Sequence, residues 1–401
     1  MRTAPFAHDA NAGARFTRAL TQCMRVWIVN PFDNLPDEGY RPQRYWMMSE
    51  AFARAGHEVT FWTQDWSHAK KARRTVRQDS GDGFKVRGVH VPGYGRNICL
   101  RRIWSHWRFS GNWLAAALRE EIPDLIVVSS PPLFTGRAVR KFCVRTGARY
   151  IVDIMDAWPE TFERVLPRWM LGWARGIARE NYCGAAGVTA VAQRYVDLAG
   201  SYGAKCPMRL FYHGIALTHE CHRMRTADVS DAASKPIRIA YIGNMSLSYD
   251  LATAVDAVRS DCGLSLDLAG AGPDEESLRR RAAGCDRIRF HGYLNDVELR
   301  AMLESADVGL VPMFDASCVG VPYKLADYVA AGLPVASSLH GETEELLLRH
   351  DAGVTYPAGE PEAMRRAVHL ALGKGNGALG LSRLFDAPAL YKGYVEFAAA
   401  L

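Results

Sequence analysis

The sequence predicts an α/β protein built from two doubly wound parallel sheets, and three observations carry that prediction. The chain has 401 residues, more than one hydrophobic core usually serves, so two domains are expected. Short apolar runs alternate with helical stretches on both sides of a connector, a pattern that implies right-handed crossovers and strands covered on both faces. Several of these runs end in glycine or in a turn-rich stretch, the place where open α/β sheets bind ligands.

The first strand is Arg25 to Asn30, followed by the turn-rich stretch Pro31 to Pro36. Met24 stands directly before it, so residues 1–23 read as a disordered tail or as the product of a start site placed too far upstream. A helix from Tyr45 to Ala55 ends at Gly56-His57 and leads into a strand over Glu58 to Thr63. The unit recurs as a strand at Asp124 to Ser129, a helix at Thr135 to Thr146 and a strand at Arg149 to Asp153. Residues 217–236 read as a linker. A second series follows, with strands at Ile237 to Gly243, Leu264 to Ala269, Ile288 to Gly292, Val308 to Pro312 and Pro334 to Ser337. The expected organisation is therefore an N-terminal domain over 24–216, a C-terminal domain over 237–380, and a last helical segment over 381–401 that packs back on the first domain. The shared cleft between the domains is the expected active site.

Composition removes several classes of protein. With 48% hydrophobic and 23% charged residues, the chain can bury enough apolar surface to offset its ordering entropy. No apolar run approaches a bilayer span, and the polar opening lacks a signal-peptide core, so a cytoplasmic place is expected, with at most a peripheral attachment to the membrane. Nine scattered cysteines without a C-x-x-C pair read as reduced thiols, and no metal site is implied. The net charge of +6 hides a split: residues 1–230 carry 33 Lys/Arg against 20 Asp/Glu, and residues 231–401 carry 16 against 23. A basic first half suits an anionic partner, be it a membrane surface, a phosphorylated lipid or a nucleic acid. No recognisable nucleic-acid-binding module accompanies it.

Glycine at a strand end lets backbone approach a phosphate, which directs attention to Gly243-Asn244 and to Gly270-Ala271-Gly272. Either alone is equally an ordinary tight turn. The stretch Gly320 to Pro334 is more informative, since it places Lys324 and Asp327 at a helix start on neighbouring faces. They read either as a surface ion pair or as a diphosphate-binding lysine and a ribose-binding carboxylate. Asp156 and Glu160 follow a strand end and suit sugar hydroxyls; for Asp156 a helix N-cap is the competing reading. Two basic stretches, His68 to Arg77 and Arg96 to Arg108 with Trp104 and Trp107 interleaved, suit either a membrane interface or a solvated face with buried tryptophans.

With these residues in place, the sequence resembles the retaining glycosyltransferases of family 4, whose GT-B fold joins two Rossmann-like domains across a cleft. The resemblance runs through Gly39, Ala55 to Val59, Asp153 to Glu160, Val188 to Val191, Tyr241 to Asn244, Gly270 to Pro273, Phe290 to Gly292, Ala306-Asp307 with Pro312, and Lys324 to Pro334. It implies transfer of a sugar from a nucleotide sugar, of UDP or GDP type with UDP favoured, to a saccharide acceptor. The acceptor implied is undecaprenyl-diphosphate-linked, at the inner leaflet, in lipopolysaccharide or O-antigen assembly. The nucleotide sugar is a co-substrate, and no further cofactor is implied. The donor residues implied are Gly243, Asn244, Gly270, Gly272, Gly292, Tyr293, Val321, Pro322, Lys324, Asp327, Glu342 and Thr343. Gly39, Asp156 and Glu160 would meet the acceptor, with Lys324 and Asp156 closest to the chemistry. The sequence departs from the family at Val319, where a glutamate is usual with seven residues between it and the acidic position held here by Asp327, at Asn244 to Asp250, where an Arg and a Lys are usual, and at Ser129 to Pro132, where a histidine near the donor is often found. A catalytically silent protein that binds a nucleotide sugar or a partner transferase is the alternative these departures leave.

Overall fold

The computed structural model describes residues 23–96, 99–163, 166–215 and 235–401. Nearly all of the expected tail and linker, and Cys221, lie outside the described residues. The other eight cysteines are free thiols.

The N-terminal lobe runs β1 (Arg25–Val29), α1 (Arg44–Arg54), β2 (Glu58–Gln64), a ribbon of β3 (Trp66–Ser67) and β4 (Ala72–Arg73), β5 (Lys85–Val89), α2 (Leu100–Ala117), β6 (Leu125–Ser130), α3 (Leu133–Thr146), β7 (Arg149–Ile154), α4 (Arg168–Cys183), β8 (Gly187–Ala190), α5 (Gln193–Ser201) and β9 (Met208–Leu210). Seven of these strands form one parallel sheet in the order β5-β2-β1-β6-β7-β8-β9. Helices cover both faces, so β6, Leu-Ile-Val-Val-Ser-Ser, is buried at every position and shows no alternation. One face carries an aromatic core in which Trp27 meets Trp62 at 5.3 Å and Phe142 at 5.4 Å between ring centroids.

The C-terminal lobe runs β10 (Ile237–Ile242), α6 (Leu251–Ser260), β11 (Leu264–Ala269), α7 (Glu275–Ala282), β12 (Ile288–Gly292), α8 (Asp296–Ser305), β13 (Val308–Val311), α9 (Tyr323–Ala330), β14 (Val335–Ser337), α10 (Glu342–His350), β15 (Gly353–Thr355), α11 (Pro361–Ala371) and α12 (Gly375–Ser382). Its parallel sheet has the order β12-β11-β10-β13-β14-β15. The two doubly wound sheets are as the sequence predicts. Strand order reverses beside β1 in the first and beside β10 in the second, which places a ligand crevice at the carboxyl ends of β1 and β6 and of β10 and β13.

The lobes are joined by two adjacent crossings of the chain. Ile215 N–H donates to the Phe385 carbonyl at 2.7 Å, and Ala387 N–H donates to the Ile215 carbonyl at 3.0 Å. The second crossing delivers α13 (Ala387–Ala399) onto the N-terminal lobe. There Tyr394 stacks on Phe211 at 4.9 Å, and its hydroxyl lies 2.9 Å from that of Thr189. Close by, Arg44 makes a buried bidentate pair with Asp153, at 2.7 and 2.9 Å, and donates to the Tyr212 carbonyl at 2.8 Å. That pair ties α1 and β7 to the crossing segment.

Candidate active site between the lobes

The loop after β10 and the loop after β11 are pressed together, and glycine is what permits it. A Cβ on Gly270 would stand 1.9 Å from the Gly243 carbonyl oxygen, and Gly270 itself has φ +121°. A Cβ on Gly272 would stand 2.1 Å from the Met245 carbonyl oxygen. The N–H groups of Gly243 and Gly270 are already donated, to the carbonyls of Ala269 at 2.9 Å and Gly292 at 2.6 Å. These two glycines therefore shape the crevice by lacking side chains and not, as the sequence suggested, by offering N–H groups. Gly270→Ala is expected to cost about 3 kcal/mol, because both strain and overlap must be relieved; urea unfolding measures it.

Lys324 lies in the first turn of α9 and is only 6% exposed. Its ammonium sits over Tyr241 at 4.1 Å and over Tyr249 at 3.9 Å from the ring centroids. It has no hydrogen-bond partner among the described residues. A Cβ on Gly243 would lie 3.3 Å from Nζ, so the lysine reaches the bare backbone of that turn. Burial holds its pKa well below the usual lysine value, and Asp327 opposes that shift. The site thus contains a buried amine placed at a strand end with no hydrogen-bond acceptor on it among the described residues.

Asp327, also 6% exposed, is not Lys324's hydrogen-bonded partner. Arg41 of the N-terminal lobe grips both its oxygens, at 2.5 and 2.9 Å, while lying 5.5 Å from the Tyr323 ring. The surface ion pair considered from sequence is therefore replaced by an ion pair between lobes. Beside it opens a cavity of about 900 Å³, walled by Arg41, Met47, Leu303, Tyr323, Asp327 and Tyr391 among others. Arg41, Tyr241 and Tyr249 are site residues that sequence reasoning missed.

The other expected residues fall into two groups. Gly292 ends β12 and its carbonyl accepts from Gly270 N–H at 2.6 Å, and Tyr293 beyond it is exposed. Val321 and Pro322 are buried at the start of α9. Glu342 accepts from Gln193 N–H at 2.8 Å and from the Tyr212 hydroxyl at 3.0 Å, another link between lobes. Thr343 donates to the Gly320 carbonyl at 2.7 Å. On the N-terminal side, Asp156 is held within its own turn. It accepts from Ala157 N–H at 2.8 Å, from Trp158 Nε1 at 3.1 Å and from the Thr161 hydroxyl at 3.1 Å, while the short helix that follows has Pro159 at its N-cap, so Asp156 caps no helix there. Burial raises its pKa. Glu160 Oε1 accepts from Tyr202 at 2.5 Å and from Arg175 at 3.1 Å. Gly39 closes a short turn with φ +86°. The structure brings Gly243, Gly270, Gly272, Lys324 and Asp327 together.

Neither a group of three metal-ligating side chains nor a helix long and apolar enough to cross a membrane occurs among the described residues.

Two lobes with facing switch points, and a crevice built on β10, β11 and α9, define a protein of the GT-B fold. Residues 42–210 match the family described as "Glycosyl transferase 4-like domain", and residues 236–373 match "Glycosyl transferases group 1". Each lobe thus matches a glycosyltransferase family model. Among curated proteins, the chain is 29% identical over 156 residues to the amylovoran biosynthesis glycosyltransferase AmsK of Erwinia amylovora. It is 29% identical over 143 residues to the putative colanic acid biosynthesis glycosyltransferase WcaL of Escherichia coli K12. The matched segments cover 36% and 33% of this chain and 38% and 35% of those relatives' lengths. Among solved structures, sucrose-phosphate synthase of Thermosynechococcus elongatus superposes with a TM-score of 0.70 at 17% identity, covering 94% of this chain and 100% of that one. Anabaena HepE in complex with UDP and glucose gives 0.67 at 12% identity, with the same coverage.

Proposed function

We propose that the protein transfers a sugar, with retained anomeric configuration, from a nucleoside-diphosphate donor to a saccharide acceptor in cell-surface polysaccharide assembly. UDP is favoured over GDP as the donor's nucleotide. The observation that carries this reading is Lys324, buried without a hydrogen-bond partner against the Gly243 turn. A diphosphate at the start of α9 would give that amine a charge-assisted partner. The cavity at Asp327 has the volume of a ligand site and takes the nucleoside. Stabilising the departing diphosphate is then the main electrostatic task. That diphosphate also receives the acceptor's proton, so the reading requires no pair of catalytic carboxylates.

Asp327 reaches ribose hydroxyls only when Arg41 lets go. Asp327→Asn is expected to weaken nucleotide binding about tenfold, the scale of a hydrogen bond to a charged group. Arg41→Gln frees the carboxylate and is expected to tighten binding several-fold. Both are measured by thermal unfolding with UDP or GDP, since a ligand of the folded state alone must raise the midpoint. Identical behaviour of the two variants would remove the ribose role, and no protection of the wild type by either nucleotide would remove the donor site.

A lipid-linked acceptor and peripheral membrane attachment belong to the same proposal. On α2, Trp104 is 49% and Trp107 56% exposed, so the buried-tryptophan alternative does not hold for them. With Arg101 and Arg108 on the same helix, they suit an anionic interface. The stretch His68 to Arg77 is less open: Arg74 is buried against Glu38 at 3.2 Å.

A further inference from the structure

The two basic stretches of the N-terminal lobe converge. His68 and Lys71 come from the β3–β4 ribbon, and Arg102 and His106 from the first turns of α2. Lys71 Nζ lies 3.4 Å from His68 Nδ1, and Arg102 Nε donates to His106 Nε2 at 3.3 Å. Phe32, in the loop after β1, bridges the two pairs. Its ring centroid is 5.7 Å from that of His68 and 5.0 Å from that of His106, and the Arg102 guanidinium lies 5.6 Å from it. Two more rings complete the wall. Tyr94 Oη is 2.7 Å from His68 Nδ1, and Trp158 is 6.3 Å from His106. Because Phe32 follows β1, the cluster stands at the switch point of the N-terminal sheet, on the opposite lobe from Lys324.

We propose that His68, Lys71, Arg102 and His106 bind a phosphate or diphosphate carried by the acceptor. The proposal rests on the glycosyl-transfer reading for the word acceptor, while the anion site stands on its own geometry. Four nitrogen groups gathered on aromatic walls repel one another, and the shifts reflect it. Burial and then Lys71 and Arg102 push His68 down to about 3; burial and then Arg102 and His68 push His106 down to about 3. Burial and Arg102 lower Lys71 to about 8, and burial lowers Arg102, with Cys99 acting the other way on both and Tyr94 on Arg102. An arriving anion reverses the sign of the local interaction, so the cost of assembling the cluster is recovered as affinity. The rings offer faces for a sugar or for the first carbons of a lipid.

The test uses the Lys324→Met protein, in which the donor's diphosphate site is disabled, titrated calorimetrically with inorganic pyrophosphate and with geranyl diphosphate. Binding of either is expected, and Lys71→Gln with Arg102→Gln should weaken it by tenfold or more. Arg102→Lys, which keeps the charge, should recover part of the loss. Tighter binding of geranyl diphosphate assigns the anion to a lipid, and equal binding assigns it to a free sugar phosphate. No binding in the Lys324→Met protein, or binding unchanged by the double substitution, overturns the site. The double variant otherwise keeps wild-type protection by UDP or GDP. If nucleotide protection is absent from the wild type while pyrophosphate still binds the cluster, the donor reading fails and the anion site stands.

Discussion

Lys324→Met is expected to yield a protein that is harder to unfold and responds more weakly to nucleoside diphosphates. Both effects come from one cause. In the wild type an amine is enclosed with two tyrosine rings and no hydrogen-bond partner, and a buried polar group left unmatched costs about 1–3 kcal/mol. Methionine fills the same volume with an apolar chain and removes that cost, so unfolding in urea without ligand should become harder by about that amount. The diphosphate meanwhile loses its charge-assisted partner, for which a fall in affinity of at least about tenfold is expected. The pH dependence follows from the sign of the shift. Lys324's value is depressed in the folded state, so the unfolded chain binds more protons in the interval up to the ordinary lysine value, and folded stability rises with pH there. The advantage of Lys324→Met should therefore shrink as pH rises through that window. Binding a diphosphate restores charge to the lysine, so titration in buffers of different ionisation enthalpy should show proton uptake. A variant with unchanged stability and unchanged nucleotide protection would mean that the amine is already satisfied and that the donor binds elsewhere.

Local pattern carried the architecture because each strand end is written locally. The runs at Ile237 and Leu264 stop at glycines that the sheet needs, and β6 reads as an unbroken apolar run because both of its faces are covered. Lys324 and Gly243 were both legible as phosphate-binding candidates, yet only the fold shows the amine against that turn. Arg41 was invisible because its partner Asp327 is 286 residues away, and nothing near Arg41 in sequence marks it. The two basic stretches were legible as charge but not as one cluster, since neither helical nor strand period reveals that a short ribbon folds His68 and Lys71 toward α2. Asp156 shows the opposite failure. Its position after a strand suits a ligand and a cap equally, and only the fold shows that its oxygens are taken by three donors within its own turn while Pro159 holds the cap position.

Asp153→Ala is expected to destabilise the fold by about 3–5 kcal/mol, because it strands a cation that water cannot reach. Asp153 is fully buried and Arg44 is 1% exposed. The carboxylate also accepts from the Tyr45 hydroxyl at 2.8 Å and the Thr189 hydroxyl at 2.7 Å, so one substitution leaves three donors without their acceptor. Urea unfolding should show the loss, and the pair Arg44→Met with Asp153→Leu should recover most of it, since two apolar side chains leave no charge behind. Burial pushes Asp153's pKa up, but Arg44, Thr189 and Tyr45 together outweigh it and hold the value below the usual carboxylate range. Its contribution is thus complete above the ordinary aspartate range and disappears as pH falls through the depressed folded value. The wild type should lose stability in acid with a component that the double variant lacks. The consequence reaches the cleft. Arg44 begins α1 three residues after Arg41 and anchors the crossing segment through the Tyr212 carbonyl, so Asp153 fixes the base from which Arg41 reaches Asp327. Loosening that base should weaken the inter-lobe ion pair. At temperatures where Asp153→Ala remains folded, its nucleotide affinity should therefore move toward that of Arg41→Gln, and an affinity that stays at the wild-type value would show that Arg41's reach is set by its own loop alone.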